Sequence, residues 1–135
     1  MTLAEEARVE STSTTVTWDR GSRVAFVRYA AGITLGRDDG AFLVDALTPR
    51  IGEVGEPFGV LADAAGLRGT DAEYRAKASS FFREHRDTAF IALINVGPVI
   101  HVVVEMFRVG TGIQLKTFRS EATARVWLRT KGIAA

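Results

Sequence analysis

A chain of 135 residues can bury about two thirds of its unfolded surface in one core, so no metal or disulfide staple is required. The absence of cysteine excludes disulfides and thiol catalysis, and 17 basic against 16 acidic residues leave a net charge of +1, too little for a general attraction to nucleic acid. The acidic opening Met1-Thr2-Leu3-Ala4-Glu5-Glu6 lacks the apolar core of a signal peptide, and no window approaches a transmembrane run. The expectation is one cytoplasmic domain over residues 1–135, frayed over residues 1–7.

Arg8 to Trp18 is rich in Thr, Ser and Val and predicts a strand, with Val16 and Trp18 on one face and Thr15 and Thr17 on the other. Asp19-Arg20-Gly21-Ser22 carries hairpin chemistry. The return strand, Arg23 to Tyr29, is apolar on both faces and should therefore be central. Thr34 can cap a helix whose first turn holds Asp38 and Asp39. Leu43, Leu47, Ile51 and Val54 continue it at helical spacing, until Gly52, Gly55 and Pro57 close the element. Pro49 disfavours helical geometry at Thr48 and predicts a kink or tightened turn.

Phe58 to Ala62 predicts a short buried strand. Beyond it, Thr70-Asp71-Ala72-Glu73 reads as a capping box, Thr70 capping and Glu73 reaching back. Tyr74, Ala78, Phe81, Phe82 and His85 then form the inner face of an amphipathic helix, leaving Arg75, Lys77, Arg83, Glu84 and Arg86 outside. Ala89 to Ile94 is a second buried strand. The segment after Pro98 is valine-rich and favours strand by propensity, but its polar residues decide otherwise. His101, Glu105 and Arg108 fall on a single helical stripe and would not share a strand face. Pro98 suits a first helical position. Gly110-Thr111-Gly112 leads to a last strand, Gln114 to Phe118. Ser120 caps a final helix with Val126, Trp127 and Leu128 inward, and Gly132 stops it. This order predicts an α/β fold: a mixed, mostly parallel five-stranded sheet with an N-terminal antiparallel hairpin and four helices.

Constellations with chemistry are sparse. His85 and His101 lie on different helices and do not make a metal site. There is no Gly-x-Ser-x-Gly elbow, and Asp38-Asp39-Gly40 lacks the other calcium-loop positions. Gly66-Leu67-Arg68-Gly69-Thr70 lacks the lysine and spacing of a phosphate loop, while Asp71 and Glu73 put negative charge where a phosphate would sit. No catalytic residue, metal or cofactor is expected. Lys116, Arg119, Arg125, Arg129 and Lys131 face one acid, Glu121, and read as a solvated face or a weak patch for an anionic partner. The helix after Pro98 is apolar over about two thirds of its circumference, where packing on a sheet needs roughly 100°. Either neighbouring helices cover the excess, or it forms a dimer interface or lipophilic groove. The residues concerned are Tyr74, Phe81, Phe82, Val99, Ile100, Val103, Val104 and Phe107.

The element order, with Asp63-Ala64-Ala65-Gly66-Leu67-Arg68-Gly69-Thr70-Asp71, resembles the STAS domain of bacterial anti-sigma-factor antagonists from about Val16 to Leu128. It is most similar to the divergent sporulation-antagonist-like branch, whose shape is related to the CRAL-TRIO lipid carriers. Phe118-Arg119-Ser120-Glu121-Ala122, leading to Trp127-Leu128, is similar to that branch's closing strand-to-helix pattern. In signalling antagonists the turn reads Asp-Leu-Ser-Gly-Val-x-x-x-Asp-Ser-Ser-Gly, and a serine of the pair is phosphorylated by the anti-sigma kinase. Asp63, Gly66, Leu67 and Asp71 match that pattern, but the serine pair falls on Ala72 and Glu73. Glu73 carries a permanent negative charge where a phosphoserine would carry about two, although capping alone accounts for it. The resemblance implies a non-catalytic domain that contacts a protein partner through Asp63, Gly66, Arg68, Thr70, Asp71, Ala72 and Glu73. Two alternatives stay open: an apolar small molecule or lipid beneath the helix after Pro98, and a homodimer through that helix.

Overall fold

A computed structural model describes residues 6–19, 22–51 and 56–135. The elements in chain order are β1 (Glu6–Glu10), β2 (Thr14–Asp19), β3 (Val24–Tyr29), β4 (Ile33–Leu35), α1 (Arg37–Leu47), β5 (Phe58–Asp63), β6 (Leu67–Thr70), α2 (Ala72–Glu84), β7 (Ala89–Ile94), α3 (Pro98–Thr111), β8 (Gln114–Phe118) and α4 (Glu121–Thr130). One six-stranded sheet runs β1-β2-β3-β5-β7-β8. The β1–β2 and β2–β3 pairs are antiparallel, and β3–β5, β5–β7 and β7–β8 are parallel. All five expected strands are present in it, and the fold is the mixed, mostly parallel α/β architecture with four helices.

The sixth strand comes from a turn that propensity did not reveal. Ser11 Oγ accepts from the backbone N–H groups of Ser13 at 3.2 Å and Thr14 at 3.1 Å. These bonds reverse the chain inside a Thr/Ser/Val run that reads as one strand. Glu6 and Ala7, expected to fray, therefore begin an edge strand. The expected hairpin residues Arg20 and Gly21 lie outside the described residues. A second addition is a two-stranded parallel ribbon of β4 and β6, with Ile33 opposite Leu67 and Leu35 opposite Thr70.

The sheet is covered on both faces. On one, Leu43 and Leu47 of α1 and Ala78, Phe81 and Phe82 of α2 pack against Val16, Trp18, Ala25, Val27, Val60, Ala62 and Ile91. On the other, Ala124 and Leu128 of α4 pack on Val24, Leu61, Ala92 and Ile94. Strand β3 contributes to both cores, as its two-sided apolar pattern requires. Val126, expected to face inward, is exposed. At 100° per residue it lies about 200° from both Ala124 and Leu128, which are the buried pair.

Helix termini show where local chemistry was displaced by tertiary pairing. Thr34 is held extended by the β4–β6 ribbon, so α1 starts later, at Gly36, whose N–H donates to Asp39 Oδ2 at 2.7 Å. The tightened turn expected from Pro49 is a 3₁₀ turn over Thr48–Arg50. Thr48 nevertheless keeps helical geometry (φ −51°, ψ −47°). Its N–H donates to the Val44 carbonyl and its hydroxyl to the same oxygen at 2.7 Å, which offsets the clash with proline. Val54 lies outside the described residues.

Candidate binding site

Helix α3 forms as its polar stripe requires. Pro98 occupies the first turn, and Gly112 ends the helix at φ +70°, its N–H donating 3.0 Å to the Arg108 carbonyl. On the stripe, Arg108 donates to Glu105 at 2.8 Å, and that hydrogen bond holds the Glu105 carboxyl below its ordinary pKa. Ile100 and Val104 are buried, and Val103 and Phe107 are half-buried. The opposite face is not covered. Val99, Val102, Met106 and Val109 are 71, 60, 68 and 75% exposed and fall on one line along the helix.

Beneath α3 lies a cavity of about 110 Å³, walled almost wholly by apolar side chains of the sheet, β6, α2 and α3. Of the groove residues expected from sequence, it brings together Tyr74, Phe82, Ile100, Val103, Val104 and Phe107. Phe81 is not among them. It packs against His85 at 4.7 Å and Phe82 at 5.0 Å between ring centroids. Val99 points to solvent. Tyr29 lines the cavity too, and sequence reasoning missed it. The available signal was its parity with Val27 on β3, which puts both on the face beneath α2 and α3.

The Tyr29 and Tyr74 phenols meet on the cavity wall, each acting on the other's titration. Burial pushes the Tyr29 phenol up to about 12, against a smaller lowering from Tyr74. Burial likewise raises Tyr74 well above the ordinary value, followed by the effects of Tyr29 and the Asp39 carboxylate. Both phenols stay protonated, so the pair is a neutral hydrogen-bonding site in an apolar wall.

The turn expected to contact a partner spans the end of β5, all of β6 and the start of α2. Asp63 Oδ1 accepts from the Ala65 N–H at 3.0 Å and from Asn95 Nδ2 at 2.9 Å. Gly66 sits so close to the backbone after β3 that a Cβ there would lie 2.8 Å from the Tyr29 carbonyl oxygen. The cap of α2 is Asp71, whose Oδ1 accepts from the Tyr74 N–H at 2.8 Å. This corrects the capping box expected at Thr70 and Glu73. Thr70 is drawn into β6 by its pairing with Leu35, and its carbonyl and hydroxyl oxygens accept from Arg75 at 2.5 and 3.2 Å. Arg68, Asp71, Ala72 and Glu73 are exposed. Among the described residues no group of three potential metal ligands comes together, and no helix is long and apolar enough to cross a membrane.

No family model and no curated protein matches the chain. Solved structures do. An uncharacterized DUF3478-family protein with a SpoIIAA-like fold, from Shewanella loihica PV-4, is 15% identical with a TM-score of 0.63, over 91% of each chain. The anti-sigma factor antagonist SpoIIAA in its unphosphorylated form is 14% identical with a TM-score of 0.53, over 92% of this chain and 97% of that one. The murine Solute Carrier 26 family member A9 anion transporter, in its inward-facing state, is 13% identical with a TM-score of 0.57. That match covers 83% of this chain and 18% of the transporter. In fold, the chain is a STAS-like, SpoIIAA-like domain.

Proposed function

We propose that this chain is a non-catalytic binding domain that acts through protein contacts, without the phospho-switch of signalling antagonists. The observation that carries the reading is the exposed row Val99, Val102, Met106 and Val109 on α3. An uncovered line of large apolar side chains is favourable only when a partner removes it from water. The row is spaced three, four and three residues apart, symmetric about position 104. Two copies of α3 crossing antiparallel around a two-fold axis set Val99 of one against Val109 of the other, and Val102 against Met106. A homodimer is thus the first occupant. The turn at Arg68, Asp71, Ala72 and Glu73 remains free for a different protein, with Glu73 giving a fixed charge at the missing phosphoacceptor position.

Light scattering over a range of concentrations tests the dimer. The wild type is expected at twice the chain mass, and Val102→Glu with Met106→Glu at the single mass with unchanged circular dichroism. A wild-type chain at the single mass overturns the self-contact. For the turn, Asp71→Asn keeps the cap acceptor while removing charge, so combined with Glu73→Lys it should weaken capture of a partner without unfolding α2. Undiminished capture by that variant removes the turn from the contact.

The cavity supports a second reading, a carrier or sensor of an apolar small molecule. At about 110 Å³ it is smaller than drug-sized pockets of roughly 300–1,000 Å³. It is also below the roughly 150 Å³ that accepts benzene, so an aromatic ring with one polar group facing Tyr29 and Tyr74 is the favoured ligand only if side chains of the wall move outward to admit it. A lipid chain requires α3 to lift. Native mass spectrometry of the purified chain, with melting in benzene, phenol, indole and fatty acids, tests it. Bare protein that no compound stabilises sinks this reading.

A further inference from the structure

The other face of the sheet carries a site of opposite character. Helix α4 lies over β5, β7 and β8 and over Val24 at the start of β3, leaving β1, β2 and the end of β3 open on that side. There Arg8, Thr17 and Phe26 form one cross-strand row, and Glu10, Thr15 and Arg28 the next. Arg125 of α4 leans over them and Glu121 closes the rim, enclosing a hollow of about 350 Å³.

The side chains supply more guanidinium donors than their two carboxylates take up. The Arg28 guanidinium carbon sits 4.7 Å from the Phe26 ring centroid, and that of Arg125 sits 6.0 Å from the same ring. Arg28 has no carboxylate partner among the described residues. Arg125 engages Glu121 through Nε at 2.8 Å, which leaves both its terminal amino groups. Arg8 meets Glu10 at 3.3 Å, a pair with side chains 59 and 61% exposed that a better acceptor displaces at small cost. Asp63 lies opposite Arg28 in the β3–β5 register, but its Oδ1 is taken by Ala65 and Asn95. The half-buried hydroxyls of Thr15 and Thr17 make no hydrogen bond to any described residue. Three cations face Glu121 and, in the Thr15 row, Glu10, which leaves the site net positive.

We propose that this hollow binds a small phosphorylated molecule, its phosphate held by Arg28, Arg125 and Arg8 with the threonine hydroxyls. Stacking on Phe26 fixes the two guanidiniums before the ligand arrives, so little side-chain freedom is lost on binding. Planar guanidinium forks match phosphate oxygens two at a time, and the anion relieves repulsion among three like charges. The volume lies at the lower end of ligand-pocket sizes, so the ligand is a phosphate with a small organic group. The site does not depend on the α3 contact proposed above.

The test is calorimetric titration of the full chain in low salt with pyrophosphate and adenosine monophosphate, alongside sedimentation with phosphatidylcholine vesicles with or without phosphatidic acid. Saturable binding is expected, weakened at least tenfold by Arg28→Gln and by Thr17→Val. Thr17→Val should not alter melting, since Thr17 makes no hydrogen bond, and Arg28→Gln should lower it only slightly, through the lost contact with Phe26. Arg37→Gln, on the opposite layer, should bind as wild type. Uptake by acidic vesicles alone, lost in Arg28→Gln, keeps the site and makes a lipid headgroup the source. No saturable binding to any probe, or equal losses in Arg28→Gln and Arg37→Gln, overturns the proposal.

Discussion

The Asn95 side-chain amide donates to Asp63 Oδ1 at 2.9 Å, and this bond ties together the carboxyl ends of the adjacent parallel strands β5 and β7. Asn95 stands at φ +59°, in the left-handed region that asparagine tolerates better than most residues. Asp63→Ala removes two acceptor bonds and is expected to cost about 1–2 kcal/mol. Asn95→Val should cost more than Asn95→Gly, because valine loses the bond and also resists the backbone angle. Urea unfolding of the three variants checks the order. An Asn95→Val variant as stable as Asn95→Gly removes backbone angle from the explanation.

Asp71, not Thr70, satisfies the first turn of α2. Asp71→Ala is expected to lower stability by about 1 kcal/mol through the lost cap, with Asp71→Asn close to wild type. Thr70→Ala forfeits only a 3.2 Å bond from Arg75 and should stay within about 0.5 kcal/mol. Chemical denaturation decides between them. The reverse ranking returns the cap to Thr70.

This displaced cap shows what the residues made legible and what they did not. The centre of the sheet was readable because β3 is apolar on both faces, and α3 because His101, Glu105 and Arg108 can share a face only on a helix. Which part of its apolar arc stays exposed was not readable, since Val102, Met106 and Val109 differ little in chemistry from the buried Ile100 and Val104. Nor was the β4–β6 ribbon, since three- and four-residue strands are too short to display a period. Its pairing pulled Thr34 and Thr70 out of the caps that local sequence assigned them. Half of each candidate site was hidden for another reason. Tyr29 reaches the cavity, and Arg8, Arg28 and Arg125 reach one hollow, through cross-strand register and helix placement, which spacing along the chain does not encode.

Gly66 is required by close approach. An alanine Cβ there would stand 2.8 Å from the Tyr29 oxygen and 2.9 Å from that of Ala30, both backbone atoms that cannot swing aside. Gly66→Ala is expected to destabilise by about 1–3 kcal/mol, the range for forced overpacking. Gly69→Ala is the control, since nothing lies within 4 Å of its added methyl. Calorimetric melting compares them, and equal stabilities would mean that the chain after β3 shifts freely.

The tyrosine pair predicts a loss of stability in alkali. A phenol whose folded pKa lies above its unfolded value near 10 binds more protons folded than unfolded between those two values. Unfolding free energy therefore falls as pH rises. The contribution is complete below pH 10 and declines as pH rises through the folded value, which for Tyr29 is about 12. Each phenol then contributes a slope of about 1.4 kcal/mol per pH unit, and Tyr74, raised in the same direction, steepens the fall. Urea unfolding at intervals from pH 8 to about 11.5 should show a plateau followed by this decline. Tyr29→Phe should flatten it, since phenylalanine keeps the ring and removes the titrating group. An unchanged slope in that variant would assign the alkaline loss to other groups.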